Sequence, residues 1–187
     1  DCPAVYVIDV DSTPVGKRKI NDISDLTLAK ILKCRTVFFH PTVIAKTSWY
    51  KKNRYNEDFK RGPDFELWCR IFGNTKYARL EEPLFIYREG RVSIRNYKIS
   101  SESYRRSLRL HYKNNLSRFE LQKEILNSYL RTYLYQFFGF FGLQHLLTAT
   151  RNLKLNQFEK ERISACIQLV NEFNPKEEVR KGVGTAS

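Results

Sequence analysis

Residues 5–10 (VYVIDV) carry the β-branched and aromatic bias of a strand, and the DSTPVGK that follows is rich in turn formers. Residues 23–33 predict a short helix, with Ser24 as its candidate cap. Residues 37–45 read as a second strand-like run, which Pro41 limits to an edge or a bend; overlapping it, residues 40–46 (HPTVIAK) read as a short buried strand. Residues 53–62 are polar and irregular, a loop. Gly62-Pro63 then opens a helix, because proline's missing N–H would have lacked a partner in the first turn anyway. Phe65, Trp68, Ile71 and Phe72 recur at helical spacing and predict one buried face, and Gly73-Asn74 predicts the stop. Residues 77–87 are strand-like at both ends, around a Glu81-Glu82-Pro83 break. From about Ser100 to Phe173 the period is helical, with breaks at residues 114–115, 139–142 and 152–156, and Pro175 ends the last helix.

Composition narrows this to a globular chain. At 187 residues, 42% hydrophobic and 14% aromatic, it has the material for a proper core in one domain, or one domain with a helical appendage. Only the tail, KEEVRKGVGTAS, reads as flexible. A formal net charge of +13 attracts anions of every kind: nucleic acid, anionic lipid or a nucleotide diphosphate. The four cysteines form no CxxC pair, so neither a zinc site nor a disulfide framework is expected, and a reducing cytosol is. No signal peptide opens the chain and it does not begin with Met, so a fragment or a processed product is expected. The uncharged run at residues 133–147 is too short, and too interrupted by polar residues, to span a bilayer.

Three motifs in order, HPTVIAK, GPDFELWCR and EEPLFIYREGRVS, resemble the acceptor-side half of a family-2 inverting glycosyltransferase with the GT-A nucleotide-sugar fold. The resemblance covers about residues 35–93, with weaker similarity back to residue 5. It implies an α/β class: an incomplete GT-A half with a mixed sheet at residues 1–99, a helical extension at 100–175 and the flexible tail at 176–187. It also implies that the nucleotide-binding half precedes Asp1 and that residues 1–187 alone would be inactive or very weak. In the family the carboxylate matching Asp64 is the general base that deprotonates the acceptor hydroxyl. Pro63 stands where the family usually has a further acidic residue.

The residues themselves support this chemistry to different degrees. Inverting transfer needs one base beside the attacking hydroxyl and positive charge for the departing diphosphate. Asp64 on the first turn of a helix suits the base; by spacing alone the plainer reading is a residue placed there by the helix dipole. Trp68 and Phe72 share its face, and core packing is the plainer reading, with sugar stacking on Trp68 as the functional one. Arg88 and Arg91 in YREGRVS are candidates for binding the diphosphate, or surface arginines paired with Glu82 or Glu89. Gly90 stands where many family members have a histidine that helps bind metal or phosphate. His40 is placed by the resemblance near the acceptor cleft, and read alone is a turn or packing residue.

Asp9-Val10-Asp11 has the DxD form of a metal site but lies too close to His40 in sequence, so no metal ligand is assigned within the chain. A divalent metal (Mg or Mn) is expected on residues upstream. The implied partners are a nucleotide-diphosphate sugar and a glycan or lipid-linked acceptor, with a cytoplasmic location. Residues 129–158 combine aromatics with flanking cations and suit either an anionic membrane surface or packing on a partner. The alternatives to a transferase are therefore a basic, aromatic membrane-surface module and a non-catalytic scaffold homologue. No RRM, KH or zinc-finger pattern is present, so nucleic acid is not expected.

Overall fold

In the computed structural model, which describes residues 3–19, 26–33, 38–80, 82–90, 93–147 and 152–173, a four-stranded mixed sheet is combined with helices, an α/β architecture. Strands β1 (Pro3–Ile8), β2 (Pro14–Lys19), β3 (Ile86–Arg88) and β4 (Asn152–Leu153) lie in the order β3-β1-β2-β4. β1 runs parallel to β3 and antiparallel to β2, and β2 runs antiparallel to β4. Residues 5–8 of β1 are all buried, as an unbroken apolar run requires of a central strand.

β2 departs from the expected turn. Only residues 9–13 turn: Asp9 Oδ1 accepts from the backbone N–H groups of Asp11 (2.9 Å) and Thr13 (2.8 Å), and Ser12 takes the left-handed conformation. The polar sequence PVGKRK forms a strand because its charges have distant partners. Lys17 pairs with Glu159 at 2.7 Å, and Arg18 pairs with Glu89 at 2.8 Å while also donating to Asn152 Oδ1. Gly16 is required here, since a Cβ would lie 2.6 Å from that of Asn152 on β4.

The helices are α1 (Leu28–Lys33), α2 (Thr47–Lys52), α3 (Pro63–Ile71), α4 (Ile94–His111), α5 (Arg118–Phe140) and α6 (Gln157–Glu172). α1 begins later than expected, with Lys30 N–H donating to Thr27 Oγ1; the expected cap Ser24 lies outside the described residues. α3 starts at Pro63 as its sequence predicts, and α4 begins earlier than expected, with Ser93 accepting from the backbone of Asn96. Ser117 with Glu120 and Asn156 with Glu159 form capping boxes that fix the starts of α5 and α6. The main core joins α1, α3, α4 and α5 through Leu32, Leu67, Trp68, Leu108, Leu121 and Ile125. A smaller one packs Ile163 of α6 on Tyr6 and Ile8 of β1.

Two strand expectations are corrected. Residues 40–46 form no strand: His40–Thr42 is a 3₁₀ turn, with Thr42 Oγ1 donating to the Phe39 carbonyl, and Ile44 is 94% exposed. Pro41 at the start of that turn lacks the N–H a ladder needs and fixes its φ near the helical value. Of residues 77–87, only the end forms a strand, as β3. The expected tail at 176–187 lies outside the described residues.

Candidate functional site

Gly62 sets up the site. It caps α3 in the left-handed conformation (φ 69°), which lets the polar loop of residues 53–62 turn sharply into the helix. Pro63 takes the first helical position and Asp64 the next, where unpaired backbone N–H groups and the helix dipole favour a carboxylate. Asp64 is half-buried, and among the described residues it has no hydrogen-bond or ion-pair partner.

Tyr55 lies within electrostatic range of it and pairs with His40. Tyr55 Oη and His40 Nε2 are 2.7 Å apart. Burial, then the neighbouring Tyr50 and Asp64, push the Tyr55 hydroxyl above the usual phenol range, so it keeps its proton. His40 Nδ1 is buried without a partner among the described residues. The His40 ring packs on Trp68 (centroids 5.8 Å), which lies one helical turn on from Asp64 and therefore on the same face.

Trp68 is the hub of an aromatic cluster. Phe38 lies 4.9 Å from it and Trp49 stacks on it at 6.3 Å, with Trp49 Nε1 donating to Thr75 Oγ1. Trp68 is almost fully buried, so it is a core residue, as its plainer reading holds. Its ring also lines a groove of about 600 Å³ between the segments at 38–49 and 75–85. Phe38, Trp49 and Tyr77 give that groove aromatic walls, and Lys46, Lys76 and Arg79 add basic side chains. Aromatic faces with a few polar groups suit a sugar ring or another amphipathic ligand.

The same helix holds a second carboxylate in a different state. Glu66 is 2% exposed and is bound by Arg70 Nε (3.0 Å) and His111 Nε2 (3.3 Å). Burial would raise its pKa, but the hydrogen bonds from His111 and Arg70 together hold it below the usual carboxylate range. Arg70 also donates to the Arg54 carbonyl at 2.6 Å, which ties α3 to the loop that carries Tyr55.

The structure thus brings Asp64, His40 and Trp68 together. Arg88 belongs to another group: its guanidinium donates to the carbonyls of Asp9 (3.1 Å) and Val10 (2.9 Å) and to Ser12 Oγ (2.9 Å). The carboxylates expected to pair with it are engaged elsewhere, Glu82 with Arg162 and Glu89 with Arg18. Arg91 lies outside the described residues. At the Asp9 corner one carboxylate oxygen is held by turn N–H groups, and the Arg88 guanidinium sits on the adjacent carbonyls. Tyr55, Trp49 and Glu66 were not legible as site residues. Tyr55 is an aromatic residue in a polar loop with no local signal, Trp49 lies on the short helix α2 outside the motifs, and the pairing of Glu66 depends on His111 far along the chain. No family model, curated protein or solved structure matches this chain.

Proposed function

We propose that this chain is the acceptor-side part of an inverting glycosyltransferase of the GT-A type, acting in the cytoplasm, with Asp64 as the general base. The observation that carries this reading is Asp64 itself: a half-buried carboxylate at a helix start, without a partner among the described residues, within electrostatic range of Tyr55 and one turn from the wall of an aromatic groove. The groove holds the acceptor glycan or lipid-linked glycan, with Trp49 and Tyr77 offering ring faces. The acceptor hydroxyl attacks the anomeric carbon of a nucleotide-diphosphate sugar and its proton passes to Asp64. The new C–O bond forms as the bond to the diphosphate breaks, and the electron pair leaves with the diphosphate, so the anomeric configuration inverts. Tyr55, which keeps its proton, orients the acceptor by hydrogen bonding. The divalent ion expected for the diphosphate belongs to carboxylates other than Asp9.

The test is sugar transfer by the full gene product from UDP- and GDP-linked donors, comparing the natural protein with Asp64→Asn. Loss of transfer with an unchanged fold is the expected result. Transfer that survives the substitution would remove Asp64 from the mechanism.

A further inference from the structure

α5 has two apolar sides. Leu121, Ile125, Ser128, Thr132 and Tyr135 are buried, on the side where Tyr97 of α4 stacks on Tyr135 at 3.8 Å. The other side carries Leu126, Leu130, Tyr133, Leu134 and Phe137, all exposed and at helical spacing. The stripe reaches the helix end at Phe140 (87% exposed) and runs on into a tip with Phe141, Leu143 and Leu146. In Phe137, Phe140 and Phe141 the rings stack edge to face, with centroids 5.2 Å apart in two of the pairs, so the tip is an ordered aromatic cluster. Large contiguous apolar surface of this kind marks a binding face.

Charge decides what covers it. Residues 125–158 contain no Asp or Glu, and their formal charges are Arg131, Arg151 and Lys154 in a chain of net charge +13. A second copy set face to face on this stripe would find no carboxylate between Ile125 and Phe140 to answer Arg131. A bilayer containing acidic lipid supplies both requirements: hydrocarbon for the Phe and Leu side chains and phosphate or carboxylate for the cations. Phe and Tyr with flanking Arg and Lys are the residue types that settle at a membrane interface. No helix among the described residues is long and apolar enough to cross a membrane, so contact would be with the surface.

We propose that the outward side of α5, together with the tip at residues 140–146, docks this protein on an anionic lipid bilayer. This inference does not rest on the transferase reading, and its test involves no sugar. The natural chain and a Phe137→Ser/Phe140→Ser/Phe141→Ser variant are floated with phosphatidylcholine vesicles and with vesicles containing about a third phosphatidylserine, at low and high salt. Circular dichroism and light scattering are recorded on both proteins. The expected result is binding to the acidic vesicles at least about tenfold above that to the neutral ones, weakened by salt and lost in the variant, whose helix content is unchanged. Should the triple variant lose helix content, Phe140→Ser alone, at the most exposed position, is expected to weaken vesicle binding without unfolding. Absence of binding to acidic vesicles, or binding undiminished by folded variants, would overturn the proposal. So would a natural chain that self-associates through this stripe and ignores vesicles.

Discussion

Asp64 and Glu66 lie two residues apart on one helix, yet they sit at opposite ends of what a carboxylate can do in a protein. Glu66 is closed inside, held by Arg70 and His111, and its charge is consumed by structure. Asp64 is half-open, with neither oxygen bound among the described residues, and its charge is felt by Tyr55. Helical geometry makes the difference. Glu66 reaches His111 of α4, while Asp64, nearer the helix start, is left partly in solvent. The lesson is that acidity in a motif identifies no function by itself; the state of the hydrogen-bond partners does.

The contrast can be broken from either side. Asp64→Asn has the largest expected effect, a fall in transfer of about 10²–10⁴-fold, the usual contribution of a general base, with stability changed by no more than about 0.5 kcal/mol. Glu66→Ala should instead lower unfolding free energy by about 2 kcal/mol in a denaturant titration, because it removes the hydrogen bonds of a buried carboxylate to His111 and to the exposed Arg70. The same pairing sets an acid limit. A carboxylate whose folded pKa is depressed contributes stability above its unfolded pKa and loses it as pH falls through the folded value. Glu66 is depressed, and Glu120, bound by Lys33 and by Ser117 of its capping box, is lowered from 4.5 to about 2. Stability should therefore decline as pH falls below the ordinary carboxylate range, with the Glu120 contribution vanishing toward pH 2. A melting series across that range checks the sign, and Glu66→Gln should flatten part of it.

Gly62→Ala comes next. A Cβ there meets nothing within 4 Å, so the cost is conformational, about 1–2 kcal/mol for a left-handed residue, read as a lower melting temperature. Tyr55→Phe has the smallest expected effect, and its loss of the bond to His40 should cost no more than about 1 kcal/mol of stability. Losing one hydrogen bond of about 1 kcal/mol to the acceptor should slow transfer by roughly fivefold.

How far the sequence carries depends on whether the deciding partner is local. β1 and α3 were legible because their burial is written in consecutive residues: a β-branched run in one, a Gly-Pro start and helically spaced aromatics in the other. The segment at 40–46 misled because its apolar residues look like a strand, although Pro41 turns it and Ile44 faces solvent on the groove wall. β2 was hidden for the opposite reason. PVGKRK reads as polar and becomes a strand through Glu159, Glu89 and Asn152, all distant in sequence. Within the site, the motif pointed to Asp64, His40 and Trp68, while Tyr55 required the fold. Arg88 was legible as a cation near a strand end, but its three acceptors on the Asp9–Ser12 turn were not.

The most direct measurement pairs the two carboxylates in the full gene product: transfer rate and melting temperature for Asp64→Asn and for Glu66→Gln, in one buffer at saturating donor. The account predicts opposite signatures, with Asp64→Asn losing the rate and keeping the melting temperature, and Glu66→Gln losing melting temperature while the protein that remains folded still transfers. An Asp64→Asn protein that transfers at the natural rate would contradict it.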